Sequence, residues 1–276
     1  MAAVKAALAI VATFVLALAL SVPHIPITRL WPARAGYFPW LFHRLVLRLI
    51  GIRLDVEGRL APGPVLIVAN HVSWLDIVVL GAIGELSFIA KQEVAGWPGF
   101  GTLARLQRTV FVNRERPKQA MRAKSEIEKR FDAGERIVLF AEGTSSDGNR
   151  ILPFRTPLFA VAAYCPEKER PVPVQPLSLA YTRLHGLPID RALRPKFAWY
   201  GDMSMVPHIW AILCAGPIDV KIVLHEPVTL ADFANRKELA SYCEAHVRAG
   251  FLTAILGRPV RPDQAEPPAR ALEALS

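Results

Sequence analysis

The chain has 276 residues, 52% of them hydrophobic, and carries a net charge of +9, which suits one large domain or a domain with appendages. A basic, apolar chain points to nucleic acid or an anionic membrane surface, and with no nucleic-acid signature or Lys/Arg-rich tract the membrane is the partner left. Cys165, Cys214 and Cys243 are far apart and form no C-x-x-C, and no histidine pair has metal-ligand spacing, so neither disulfides nor a metal site is expected.

Residues 6–22 are apolar, and no charge follows Lys5 until Arg29. As a helix they span roughly 26 Å at about 1.5 Å per residue, at the short end for a membrane crossing. Lys5 and Ala17-Leu18-Ala19 would also suit a cleaved signal peptide. Arg29, Arg34, Arg44, Arg48 and Arg53 argue instead that the following side stays in the cytoplasm. Residues 1–28 are therefore expected to be a retained membrane anchor. Residues 29–51 hold a second apolar stretch, with His43, Arg44 and Arg48 on one side of a helix over 38–50. It reads as an interfacial amphipathic helix, or equally as a core helix with a wet edge.

The remainder, 52–258, alternates strands with helices. Residues 52–56 alternate like a strand, and 58–63 form a turn. Val65 to Val68 is a β-branched, apolar run that reads as a buried strand, stopped by Asn70 and His71. Ser73 can cap a following helix over 77–83, and Asp76 stands three residues later. A neutral imidazole takes a proton from an alcohol when its other ring nitrogen is held, and Asp76 is the candidate partner for His71. The plainer account is a capping box between Ser73 and Asp76 beside an ordinary loop histidine. A strand follows over 86–90, then a glycine-rich stretch, 96–101, too rich in glycine for a helix. It could line an acyl slot, graze the membrane or form a packed turn. A short strand, 109–112, ends at Arg114, and a charged helix covers 117–133 with Ala120, Ile127 and Phe131 inward. Residues 137–140 are a buried strand leading into the loop 142–148.

Strands alternating with helices imply an α/β fold with a largely parallel central sheet flanked by helices. His71, Arg114 and Glu142 then fall at one edge, the C-terminal ends of strands. Later strands are expected at 171–181, at an edge because of its prolines, at 197–200 and at 218–224. A helix is expected at 236–256, and 259–276 is expected to be a disordered tail.

Asn70-His71-x-Ser73-x-x-Asp76 resembles the first signature block of the glycerolipid acyltransferase family. Three further blocks follow in that family's order: Phe111-Val112-Asn113-Arg114, Phe140-Ala141-Glu142-Gly143-Thr144 and Val172-Pro173-Val174-Gln175-Pro176. The resemblance covers about residues 65–180. It implies the family's fold and an O-acyltransferase in which His71, oriented by Asp76, deprotonates a lysolipid hydroxyl. The alkoxide then attacks a thioester of acyl carrier protein or coenzyme A, a co-substrate, with no cofactor. It also implies that Arg114, Glu142, Gly143, Thr144 and Ser145 hold the acceptor. Glu142 would bind a ligand hydroxyl or pair with Arg114.

Two departures bear on the acceptor. The usual third block reads Phe-Pro-Glu-Gly-Thr-Arg, and here Ala141 replaces the proline and Ser145 the arginine. Losing a cation from a phosphate site removes a charge-assisted hydrogen bond of about 1.5–3 kcal/mol. Residues 145–150 and 180–186 resemble the branch that acylates lyso-ornithine lipid, whose amine Asp147 could pair with. Lysophosphatidic acid is the alternative acceptor. The expected location is the inner membrane, with the catalytic domain on the cytoplasmic side. A serine hydrolase using Ser73, Ser145 or Ser146 is a rival without a G-x-S-x-G to support it. A non-catalytic lipid-binding protein is another.

Overall fold

The computed structural model describes residues 2–31, 34–113, 116–164 and 171–264. An apolar N-terminal helix, α1 (Ala2–Leu30), is followed by α2 (Tyr37–Ile50), β1 (Ile52–Glu57), β2 (Val65–Ala69) and α3 (Leu75–Gly81). Next come β3 (Leu86–Lys91), α4 (Phe100–Leu106), β4 (Val110–Val112), α5 (Pro117–Asp132) and β5 (Arg136–Phe140). The chain continues through β6 (Val174–Leu184), β7 (Leu187–Pro188), α6 (Met205–Ala215), β8 (Ile218–Leu224) and α7 (Arg236–Leu256).

The sheet order is β1-β8-β6-β2-β5-β3-β4, with β7 paired to β6 as a hairpin. Strands β6, β2, β5, β3 and β4 run parallel, while β8 is antiparallel to β6 and parallel to β1. All five residues of β2 are buried. Val65, Ile67 and Ala69 face one apolar layer with α3, and Leu66 and Val68 face the other with α5 and α7. A strand covered on both faces must be apolar throughout, which is why this run carries no alternation.

Four expectations are corrected. The strand that begins at Val174 is central rather than at an edge. Its Pro176 is tolerated because the β8 ladder starts only at Leu177, and the Pro176 carbonyl accepts from His225 N–H at 3.0 Å. Residues 197–200 form no strand; Phe197 and Ala198 are buried in an irregular segment that leads into α6. The glycine-rich stretch passes directly into a helix, α4, from Phe100. Gly99 takes φ 75° there, and buried Gly101 sits where a Cβ would strike the Ala95 carbonyl. In α5 the buried residues are Ala123, Ile127 and Phe131, with Ala120 only half-buried. Of the expected tail, residues 265–276 lie outside the described residues.

One side of helix α2 is packed, with Val46 and Leu47 buried, and the other is exposed, Tyr37 and Leu49 included. Arg44 and Arg48 are exposed, Arg44 lying 4.9 Å from the Trp40 ring centroid. His43 turns inward instead, hydrogen-bonded to Gln107 and set against Gly81 of α3. A Cβ on Gly81 would enter the His43 ring. Helix propensity alone favours alanine over glycine by up to about 1 kcal/mol. The clash should reverse that sign, so Gly81→Ala is expected to destabilise by about 1–3 kcal/mol. A urea melt reads this as a lower midpoint at unchanged slope; a raised midpoint would show that His43 swings aside freely.

Candidate active site

The site is built where β2 stops. Asn70 locks that end to β6 with two bonds: its Nδ2 donates to the Leu179 carbonyl at 2.9 Å, and Leu179 N–H donates to its Oδ1 at 2.8 Å. His71 then turns away from the sheet, and its ring stacks on Phe140 at 4.0 Å with a 17° tilt. Its carbonyl accepts from Ser146 N–H, and the Val72 carbonyl accepts from Trp199 N–H, each at 2.9 Å. The loop is thus clamped from both sides before α3 begins.

Asp76, wholly buried, is the centre of this loop. Its Oδ2 accepts from His71 Nδ1 at 2.8 Å, Val72 N–H at 2.6 Å and Ser73 N–H at 2.9 Å. Its Oδ1 accepts from the Tyr181 hydroxyl at 2.6 Å. Because Nδ1 carries the proton toward Asp76, Nε2 is the nitrogen left to accept one. The His71 side chain keeps 18% of its surface exposed, enough to meet a substrate hydroxyl. Half of the capping box is present, since Asp76 takes Ser73 N–H. The Ser73 hydroxyl itself has no partner among the described residues, and the helix N-cap is Trp74.

Glu142 meets His71, as the topology predicts, but not as a ligand-facing group. It is 1% exposed, with Oε1 accepting from His71 N–H and Oε2 from Leu152 N–H, each at 2.7 Å. Both oxygens are spent on main chain, so it braces the loop instead of holding a ligand hydroxyl. Burial pushes its carboxyl up to about 8, and the Asp76 charge adds to this. Gly143 takes φ 72° in the turn after β5, a left-handed conformation that costs glycine least. Thr144 is exposed. Ser145 donates to the Trp199 carbonyl at 2.5 Å, and Asp147 Oδ1 accepts from Asn149 N–H at 3.1 Å, a local turn bond. Arg114 lies outside the described residues. Among the described residues no hydrogen bond joins His71 to the hydroxyl of Ser73, Ser145 or Ser146, which leaves a serine nucleophile without its base.

A model of the family described as "Acyltransferase" matches residues 53–180. The chain is 50% identical over 226 residues to a protein from Brucella abortus named lyso-ornithine lipid O-acyltransferase, covering 80% of this chain and 84% of that one. A Rhizobium meliloti protein of the same name is 41% identical, covering 84% and 80%. The chain belongs to the acyltransferase family. Its fold also matches the crystal structure of a 1-acyl-sn-glycerophosphate acyltransferase from Thermotoga maritima, with a TM-score of 0.63 at 23% identity, over 91% of this chain and 96% of that one.

Some parts of this acyltransferase site were not singled out from the sequence. Tyr181 is separated from Asp76 by 105 positions, and an apolar strand gives no sign of which hydroxyl points inward. Asn70 stands in the first signature block, but its two bonds to Leu179 span 109 positions and leave no mark in the sequence. Arg155, whose Nε donates to the Glu142 carbonyl at 3.2 Å, sits in a loop without periodicity. Trp199 and Trp97 meet edge-on at 5.8 Å beside the loop, so the glycine-rich stretch rims the site.

Two outcomes follow. In Tyr181→Phe the Asp76 charge rests more on Oδ2 and holds an imidazolium more firmly. The acid limb of the pH–rate profile should move to higher pH and kcat should fall, with the fold intact; an unmoved limb would make Tyr181 a packing residue only. Folded Glu142 binds its proton more tightly than an unfolded carboxyl does. Stability should therefore be full below about 4.5 and be lost as pH rises through about 8. Glu142→Gln should flatten that slope in thermal melts across the window, at the cost of one main-chain bond.

Proposed function

We propose that this acyltransferase moves a fatty acyl group onto the free hydroxyl of lyso-ornithine lipid. The observation that carries the chemistry is His71 Nδ1 on buried Asp76, with Nε2 free to take a proton. His71 Nε2 accepts the acceptor's hydroxyl proton as the oxygen attacks the thioester carbonyl. The C–O bond forms, the C–S bond breaks, and the imidazolium returns the proton to the departing thiolate. Asp76 holds the tautomer and offsets the imidazolium charge, and Tyr181, Val72 and Ser73 hold Asp76. The donor is an acyl carrier protein or coenzyme A thioester, and the reaction calls on no further cofactor. An acidic carrier protein would be drawn to a chain of net charge +9.

The choice of acceptor rests on the relatives at 50% and 41% identity and on Ser145. A serine that bonds the Trp199 carbonyl brings no positive charge to the loop, which suits an acceptor without phosphate. Arg155 and exposed Arg150 stand by the same loop and can receive the ornithine carboxylate. Helix α1, 29 residues with a mean hydropathy of 2.4 over its most apolar window, holds the enzyme to the inner membrane. The arginines that follow α1 support a catalytic domain on the cytoplasmic side.

The test is purified enzyme with acyl carrier protein thioester, given lyso-ornithine lipid and lysophosphatidic acid in competition. Lyso-ornithine lipid should be preferred, and His71→Ala should lower turnover by on the order of 10²–10⁴ in folded protein. Ser145→Arg should shift the ratio toward lysophosphatidic acid by roughly tenfold to a hundredfold. Preference for lysophosphatidic acid in wild type, unmoved by Ser145→Arg, would overturn the choice of acceptor.

A further inference from the structure

Helix α6 has the makings of a surface that water does not cover. Met205–Ala215 contains no charged residue. His208 and Ile212 face the core, while Val206 is 72% and Trp210 41% exposed on the outer side, with Met203 and Tyr200 exposed just ahead. A surface helix of a water-soluble domain places charge on that side. Helix α6 also packs beside α1. Helix α1 is apolar and exposed over most of its surface, Val4, Leu8, Val11, Phe14, Val15, Leu18 and Val22 among the exposed side chains. The segment leading to α6 carries exposed Arg191 and Lys196, cations suited to anionic headgroups, with the acids Asp190 and Asp202 exposed on the same segment.

We propose that α6 seats in the bilayer interface beside α1, as a second lipid-contacting element that sets the catalytic loop at headgroup level. The inference rests on the reading that the chain acts on a membrane lipid. The occupant is the bilayer because α1 is long and apolar enough to cross one, and what surrounds α1 also meets the helix packed on it. Contiguous apolar surface of this kind marks an interaction site. Indole rings such as Trp210 favour the membrane–water boundary.

The mechanical link to the site is direct. Trp74, the N-cap of α3, donates through Nε1 to His208 Nδ1 of α6 at 2.9 Å. Trp199, at the head of the segment that enters α6, donates to the Val72 carbonyl next to His71. Depth of α6 therefore fixes depth of His71. An apolar groove of about 560 Å³ runs along α6, lined by Leu184, Leu193, Phe197, Pro207, Ala211 and Ile212, and gives a lipid chain room beside the helix.

The experiment attaches a bimane to Val206→Cys in a chain with Cys165→Ala and Cys214→Ala, bound to phosphatidylglycerol vesicles. A second sample carries the label at Val15→Cys in α1. Shallow doxyl lipids should quench the label at 206, and doxyl groups deep in the acyl chain the label at 15. Val206→Asp should lower turnover on a vesicle-borne lysolipid by about tenfold, while leaving turnover on a detergent-dispersed lysolipid unchanged. A label at 206 that stays unquenched while the label at 15 is quenched, in enzyme that still transfers acyl groups, overturns the proposal and leaves the acyltransferase reading intact. So does a label at 206 shielded only as the chain self-associates, which would make the patch a contact between copies. Quenching at both positions without acyl transfer to any lysolipid would sink the functional reading and keep the membrane contact.

Discussion

A carboxylate without exposed surface is affordable only if every lone pair has work, and Asp76 satisfies that condition with four donors. The donors and the acid together come from three parts of the chain. His71, Val72 and Ser73 belong to the turn after β2, Asp76 itself to the first turn of α3, and Tyr181 to β6. The carboxylate can be desolvated only when all three are in place. Pairing of β2 with β6 is thus a precondition of the site, and Asn70, bonded twice to Leu179, secures it at the end nearest the chemistry.

Two buried acids flank His71 and do different work. Asp76 touches the ring and takes side-chain and main-chain donors, so its charge is matched where an imidazolium would form. Glu142 touches only main chain, joining His71 to Leu152 across the loop after β5. Desolvation raises its carboxyl, so near neutrality its protonated form is well populated and a second full negative charge beside Asp76 is avoided. Phe140, two residues earlier on β5, supplies the face on which the His71 ring rests. One strand end therefore sets the ring's plane and the loop's path together.

The sheet could be read from the sequence because its inner strands are short, mostly apolar runs separated by helical segments; residues 65–68, 86–90 and 137–140 are such runs. The pairing of His71 with Asp76 was legible because it is local, five positions apart. What escaped depends on contacts across the chain. Tyr181 reads as one more strand residue until β6 lies beside β2. Helix α6 is apolar on nearly every side and holds Pro207, so no period of 3.6 marks it. Residues 197–200 have a strand's composition, yet Phe197 is buried by stacking near Tyr181 rather than by a ladder. Glu142 looked like a ligand group because its block was recognised, while its burial depends on where Leu152 returns.

The central claim is that Asp76 fixes His71 with its proton on Nδ1, leaving Nε2 as the base. Nitrogen-15 NMR of histidine-labelled protein, with His71 assigned by its loss in His71→Gln, reads the tautomer directly. With the ring neutral, Nδ1 should give the protonated, pyrrole-type shift and Nε2 the unprotonated one, and Asp76→Asn should abolish that preference. A neutral His71 with its proton on Nε2 in the wild-type protein would contradict the account.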